Sequence, residues 1–148
     1  ESKTAYKNLS HILKSPSSKL LSGIVIGRSD LVKSYGYDKK QVDTKFINNI
    51  VKDILTQCKK YNLDTLMGGN ISPTSSVFIK EMYDAKLLNY IETRNVIIHL
   101  TDKNCNNISE VIKSSLMFES DWLEYKANFH SKISENYTNR STQIKNRL

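Results

Sequence analysis

GIVIGRSDLVKSYG, residues 23–36, decides how this chain is read. A short β-branched run ends at Gly27, presents Arg28, Ser29 and Asp30, and turns apolar again at Leu31. Runs of that kind suit a strand buried on both faces of a parallel sheet. A strand that runs out into a charged tip is one way for an α/β enzyme to display a catalytic or metal-binding group, and an ordinary solvated turn gives the same pattern.

Working outward, residues 4–14 place Ala5, Leu9, Ile12 and Leu13 at helical spacing, and Pro16 ends that helix. On the other side, residues 43–61 repeat Phe46, Ile47, Ile50, Val51, Ile54, Leu55 and Cys58 along one face, with Asp43 placed to cap the helix. LDTLMGG, residues 63–69, reads as a strand ending in paired glycines. In residues 72–88, Ser72 is a candidate cap, Pro73 takes the first helical position, and Val77, Phe78, Met82 and Leu87 form an apolar face. NYIETRNVIIHL, residues 89–100, supplies one more strand. Residues 108–129 form a longer helix with Val111, Ile112, Leu116 and Trp122 inward, and a polar, helical tail follows from Lys132.

Strands alternating with helices predict a parallel sheet with right-handed crossovers. A chain opening on Glu1 just before a helix reads as one cut at the end of a fourth strand. Four βα units are half of a (β/α)8 TIM barrel, with chemistry at the strand C-termini. The expected fold class is therefore α/β, the C-terminal half of such a barrel over residues 1–131, with a helical extension over 132–148. A small open sheet of flavodoxin type is the alternative.

The composition fits one core, and no apolar run approaches the roughly 18 residues that cross a membrane. With no secretory pattern at its start, the chain reads as cytoplasmic. Cys58 and Cys105 lack metal-ligand or redox spacing and read as reduced, inert thiols. The net charge of +7 comes from lysines scattered among Asn, Ile and Ser, a compositional bias and not a nucleic-acid interface. His11, His99 and His130 have no acidic or nucleophilic partner at recognisable spacing, and no nucleophile elbow or phosphate loop is present.

The strand-end rule collects Glu1, residues 27–30, residues 68–72, and Glu92 with Arg94. Glu1 and Asp30 fall at the ends of adjacent predicted strands, where two hard oxygen donors suit Mg²⁺ or Mn²⁺. Asp30 as a turn or helix cap is the competing reading. Gly68 and Gly69 before a helix either offer backbone N–H groups to an anion or supply positive φ to a turn. Glu92 and Arg94, two apart on a strand, point to one side and either pair with each other or hold a substrate carboxylate.

ESKTAYKNLSHIL followed by SGIVIGRSDLVKSYG resembles the C-terminal half of the HpcH/HpaI aldolase and citrate lyase family, (β/α)8 barrels of the phosphoenolpyruvate/pyruvate-binding superfamily. The residues that carry the resemblance are Glu1, Thr4, Ala5 and Asn8, then Gly23, Ile26, Gly27, Asp30, Leu31, Ser34 and Gly36. It extends through GGNIS and IETRNVI. Arg28 stands where many members have Pro. The resemblance implies Glu1 and Asp30 as ligands of Mg²⁺ or Mn²⁺, and Gly27, Arg28, Ser29, Gly68, Gly69, Glu92 and Arg94 around the substrate. It implies a lyase that cleaves a hydroxy-oxo acid to pyruvate and an aldehyde through a metal-stabilised enolate, in a homo-oligomer. The family's enolate-stabilising Arg and catalytic His belong to the first half of the barrel, so this stretch alone is expected to be inactive. A citryl- or malyl-CoA lyase and a non-catalytic basic α/β module are the alternatives.

Overall fold

A computed structural model describes residues 1–148, which divide into two compact units, Glu1–Ser115 and Leu116–Leu148. The first unit is mixed α/β around one four-stranded sheet. Helices α1 (Lys3–Lys7) and α2 (Leu9–Lys14) lead to strand β1 (Gly23–Gly27) and helix α3 (Arg28–Ser34). Helix α4 (Lys45–Lys59), strand β2 (Asp64–Gly68) and helix α5 (Ser76–Asp84) follow. Strands β3 (Tyr90–Glu92) and β4 (Ile97–His99), a short helix α6 (Asp102–Cys105) and helix α7 (Ile108–Lys145) complete the chain. No helix is long and apolar enough to cross a membrane.

The sheet order is β1-β2-β3-β4, with β1, β2 and β3 parallel and β4 antiparallel to β3. The parallel expectation therefore holds for three strands and fails at the fourth. Residues 89–100 are a hairpin and not one strand. The polar stretch Thr93-Arg94-Asn95 forms its turn, closed by the Thr93 N–H on the Val96 carbonyl at 3.0 Å, and β4 returns with Ile98 opposite Ile91. A half-barrel has no antiparallel strand.

Strand register places Ile26, Met67, Ile91 and Ile98 in one row across the sheet, and all four are buried. Side chains alternate faces along a strand, so Val25, Leu66 and Tyr90 lie in a row on the other face. There Val25 is 49% exposed, and Ile97 beyond it 63%. Strand β1 is thus buried on one face, not on both as its composition predicted.

The 3.6-residue period of α4 buries Ile47, Ile50, Val51, Ile54, Leu55 and Cys58, while Phe46 stays outside and meets Tyr35 edge-on at 5.3 Å. The predicted first helix is two helices that meet at Asn8, where the backbone leaves the helical region at φ −96° and ψ 5°. Ser72 and Pro73 begin a 3-10 turn, Pro73–Ser75, before α5 takes over. That turn displaces the helical phase, so Val77 faces solvent at 80% exposure while Phe78, Ile79 and Met82 enter the core. Helix α7 runs unbroken past the expected boundary near residue 131. Ile112 and Ser115 are its last buried side chains, and Trp122, expected inward, is exposed.

The burial pattern of α5 gives a direct check. Replacing fully buried Ile79 by Ala removes packed methylenes and leaves a cavity, at a cost of about 2–5 kcal/mol. Val77→Ser changes an exposed position and stays within about 0.5 kcal/mol of wild type. Urea denaturation of both variants measures the contrast.

Candidate functional site

At the C-terminal end of the parallel strands, Gly27 and Gly68 stand side by side in register. Each lies under a carboxylate. A Cβ on Gly27 would come within 2.6 Å of Glu1 Oε1, and one on Gly68 within 2.8 Å of Glu92 Oε1. Both glycines are there because another residue's acidic side chain occupies the space their own would need. Gly27 shares its face with Val25, and Gly68 shares that face with Leu66, so Glu1 and Glu92 gather over the partly open side of the sheet.

Glu1 is held by short local bonds. The Ser2 hydroxyl caps α1 by accepting from the Ala5 N–H at 3.1 Å, and the Lys3 N–H donates to Ser34 Oγ at 2.8 Å. Ser34 in turn donates to the Leu31 carbonyl at 2.6 Å, so the last turn of α3 anchors the segment that carries Glu1. Helix α3 closes in a Schellman motif: Gly36 at φ 81° donates to the Lys33 carbonyl and Tyr37 to that of Val32. Leu31 is buried beneath.

Asp30 is different. It sits exposed in the first turn of α3, whose N-cap position is Gly27 with no side-chain cap, and its carboxylate has no hydrogen bond or ion pair within the chain. The capping role considered for it is absent. Ser29, half-buried, lies against Gly69, where a Cβ would meet the Ser29 and Arg28 backbone nitrogens at 2.5 and 2.7 Å. Gly69 also has φ 85°, so close approach and positive φ both demand glycine there. The Ser72 N–H, one of the groups considered for an anion, is taken by Ser75 Oγ at 3.4 Å.

Arg28 was expected beside the substrate. It is instead fully buried, with Nη1 donating to Asp43 Oδ1 at 2.7 Å and Nη2 to Ser75 Oγ at 3.1 Å. Asp43, expected to cap α4, also accepts from Thr74 at 2.9 Å and from Ser75 at 2.9 Å. Thr44 takes the N-cap position, without a side-chain bond. Burial pushes the Asp43 carboxyl up, but the Arg28 charge and the hydrogen bonds from Arg28, Thr74 and Ser75 outweigh it and hold it below the ordinary carboxylate range. Sequence reading missed this cluster because Asp43, Thr74 and Ser75 lie far from Arg28 along the chain. The signal available was an arginine immediately after a buried strand, which needs a counter-ion.

Glu92 ends β3, whereas Arg94 lies exposed in the following turn, so the two do not share a strand face. Cys58 and Cys105 are buried and free, and burial pushes the Cys58 thiol up to about 11, so neither is a thiolate at neutral pH. No three His, Cys, Asp or Glu side chains converge as a ready metal cage. The donors at hand are the carboxylates of Glu1 and Asp30. Hard oxygen donors of that kind fit a cation that keeps several waters or substrate oxygens in its shell.

Comparison of the chain with protein families, with characterised proteins and with solved structures found no match.

The buried pair predicts asymmetric mutant costs. Asp43→Ala leaves Arg28 buried without a counter-charge and costs about 3 kcal/mol. Arg28→Met costs less, because the volume is kept and Asp43, partly exposed, regains water. Asp43 is depressed in the folded state, so its contribution is complete above the unfolded value near ~3.9 and is lost as pH falls through the lower folded value. Thermal melts between neutral and acid pH should show this loss in wild type and its absence in Asp43→Ala.

Proposed function

We propose that Glu1–Ser115 carries the metal-holding strand ends of a divalent-metal-dependent carbon–carbon lyase of class II aldolase type, cleaving a hydroxy-oxo acid to pyruvate and an aldehyde. The observation that carries the reading is Asp30, a carboxylate left without a protein partner three residues after the strand end that the Glu1 side chain covers. Asp30 is an exposed carboxylate with no partner in the fold. It follows directly on the strand end where Glu1 is pinned over Gly27. Asp30 keeps its carboxylate free of protein partners and the Glu1 carboxylate lies over the end of β1, so both are left to serve a ligand.

In this reading Glu1 and Asp30 would hold Mg²⁺ or Mn²⁺. A bound ion of that kind supplies Lewis-acid stabilisation of negative charge on an oxo-acid oxygen. Gly27 and Gly68 make room at the strand ends for the side chains of Glu1 and Glu92, and in this reading Glu92 faces the substrate. The three parallel strands, helix-covered on one face and partly open on the other, support assignment to part of a (β/α)8 barrel whose interior is the open face. The hairpin of β3 and β4 departs from that pattern, so the barrel reading applies to β1, β2 and β3. The remaining strands, the base and the enolate-stabilising Arg are supplied from outside residues 1–148, in a cytoplasmic homo-oligomer.

Two measurements test this. Mn²⁺ binding to the chain, followed by electron paramagnetic resonance, should weaken at least ten-fold in Asp30→Asn and in Glu1→Gln. Asp30→Asn should melt within about 0.5 kcal/mol of wild type, as expected of a surface position without partners. Unchanged Mn²⁺ binding in both variants removes the metal site. With the barrel complete, metal-dependent pyruvate release from 4-hydroxy-2-oxo acids should be abolished by Asp30→Asn. Activity only on citryl- or malyl-CoA would move the substrate class to thioesters.

A further inference from the structure

The second unit, Leu116–Leu148, carries an apolar stripe along the helix α7. Phe118, Trp122, Tyr125, Phe129, Ile133 and Ile144 are all exposed. Their spacings of three, four and eleven residues put them on one side of the helix. Phe118 and Phe129 are one eleven-residue repeat apart, as are Trp122, Ile133 and Ile144, and such a repeat tracks an α-helix at about 3.67 residues per turn with little drift. Arg140 falls on the same stripe, in the gap before Ile144.

Charge is unequally divided along this helix. Residues 116–131 hold Glu119, Asp121 and Glu124 against Lys126 alone, while residues 132–148 hold Lys132, Arg140, Lys145 and Arg147 against Glu135 alone. We infer that the occupant of the stripe is the same helix of a second copy, running antiparallel. Head-to-tail pairing sets the acidic half of each copy against the basic half of the other. Parallel pairing sets like charges together and opposes two Arg140 guanidiniums within the apolar seam, which disfavours it.

A two-fold axis near residue 131 brings Phe129 beside Ile133 of the second copy, Trp122 beside Arg140, Phe118 beside Ile144, and Tyr125 beside Tyr137, an exposed residue four positions after Ile133 at the edge of the stripe. The Trp122 ring, already approached by Lys126 Nζ at 5.4 Å, then receives a guanidinium on the seam. Arg140, which with Asn136 interrupts the stripe between Ile133 and Ile144, thereby meets an aromatic face and not an aliphatic one. Six side chains from each copy, each covering on the order of 100 Å² because half of each is already covered, reach the roughly 1,200 Å² of a stable interface. This inference names a surface and an orientation, and it does not depend on the lyase reading.

Sedimentation equilibrium of the whole chain tests it. The expected result is a dimer whose dissociation constant rises at least ten-fold in Trp122→Glu and in Phe129→Glu, with far-UV circular dichroism reporting whether the helix persists. Orientation is read without those substitutions by mixing Tyr125→Cys and Tyr137→Cys chains under oxidation, since Cys58 and Cys105 are buried. Antiparallel pairing yields the mixed disulfide in preference to either homotypic one. A chain that is monomeric at every concentration overturns the proposal, including one that instead binds anionic phosphatidylserine vesicles. So does a dimer indifferent to both Glu substitutions, or a predominance of the homotypic Tyr125→Cys disulfide.

Discussion

A guanidinium with no access to water sits at the end of β1, and much of the first unit is arranged to answer it. Arg28 immediately follows the strand, and its partners come from two other places: Asp43 at the entry to α4, and Ser75 in the turn before α5. An uncompensated buried charge costs several kcal/mol, so those segments are held to Arg28 together or not at all. Drawing the segment after β2 against the start of α3 also brings Gly69 onto the backbone nitrogens of Arg28 and Ser29, where only a hydrogen fits. The electrostatic consequence reaches the strand ends. Asp43 neutralises Arg28, so the cation next to Ser29 and Asp30 in sequence does not cancel the negative charge that Asp30 and Glu1 present.

The same end of the sheet is crowded from the other side. Gly27 and Gly68 accommodate the side chains of Glu1 and Glu92, which arrive from a helix entry and from the neighbouring strand. Glycine here works by absence: a methyl at either position would evict a carboxylate. The Lys3 to Ser34 hydrogen bond then ties the backbone just after Glu1 to the last turn of α3. Local hydrogen bonds and missing Cβ atoms, and not long-range charge pairing, bring Glu1 to the sheet.

Periodicity made α4 legible, because its burial repeats every 3.6 residues, whereas β1 and β2 were legible as short β-branched or apolar runs ending in glycine. It failed where phase is reset by something short. The 3-10 turn Pro73–Ser75 rotated Val77 out of the core, and the three-residue polar break at Thr93-Arg94-Asn95 folded one apparent strand into two. Apolar content also misled at Trp122, since a helix can carry aromatic residues for a partner as readily as for its own core. The two parallel strands end at Gly27 and Gly68 as read from the sequence, while Asp30 falls in the first turn of α3. The partnership of Arg28 was hidden, because an ion pair across fifteen residues leaves no periodic trace.

The motif that suggests a lyase can be divided by what each residue does. Gly27 makes room for a side chain, Leu31 fills the core, Ser34 anchors Lys3, and Gly36 at positive φ ends α3. Any chain folding through this strand-to-helix junction would favour those residue types whatever its chemistry, so their presence speaks for the fold. Asp30 makes no hydrogen bond at that junction. An exposed carboxylate in the first turn of a helix gains a few tenths of a kcal/mol, up to about 1 kcal/mol, from the helix dipole, a role that Glu would fill as well. The part of the resemblance that bears on chemistry therefore rests on Asp30, whose carboxylate has no partner in the chain, and on the Glu1 side chain that lies over Gly27.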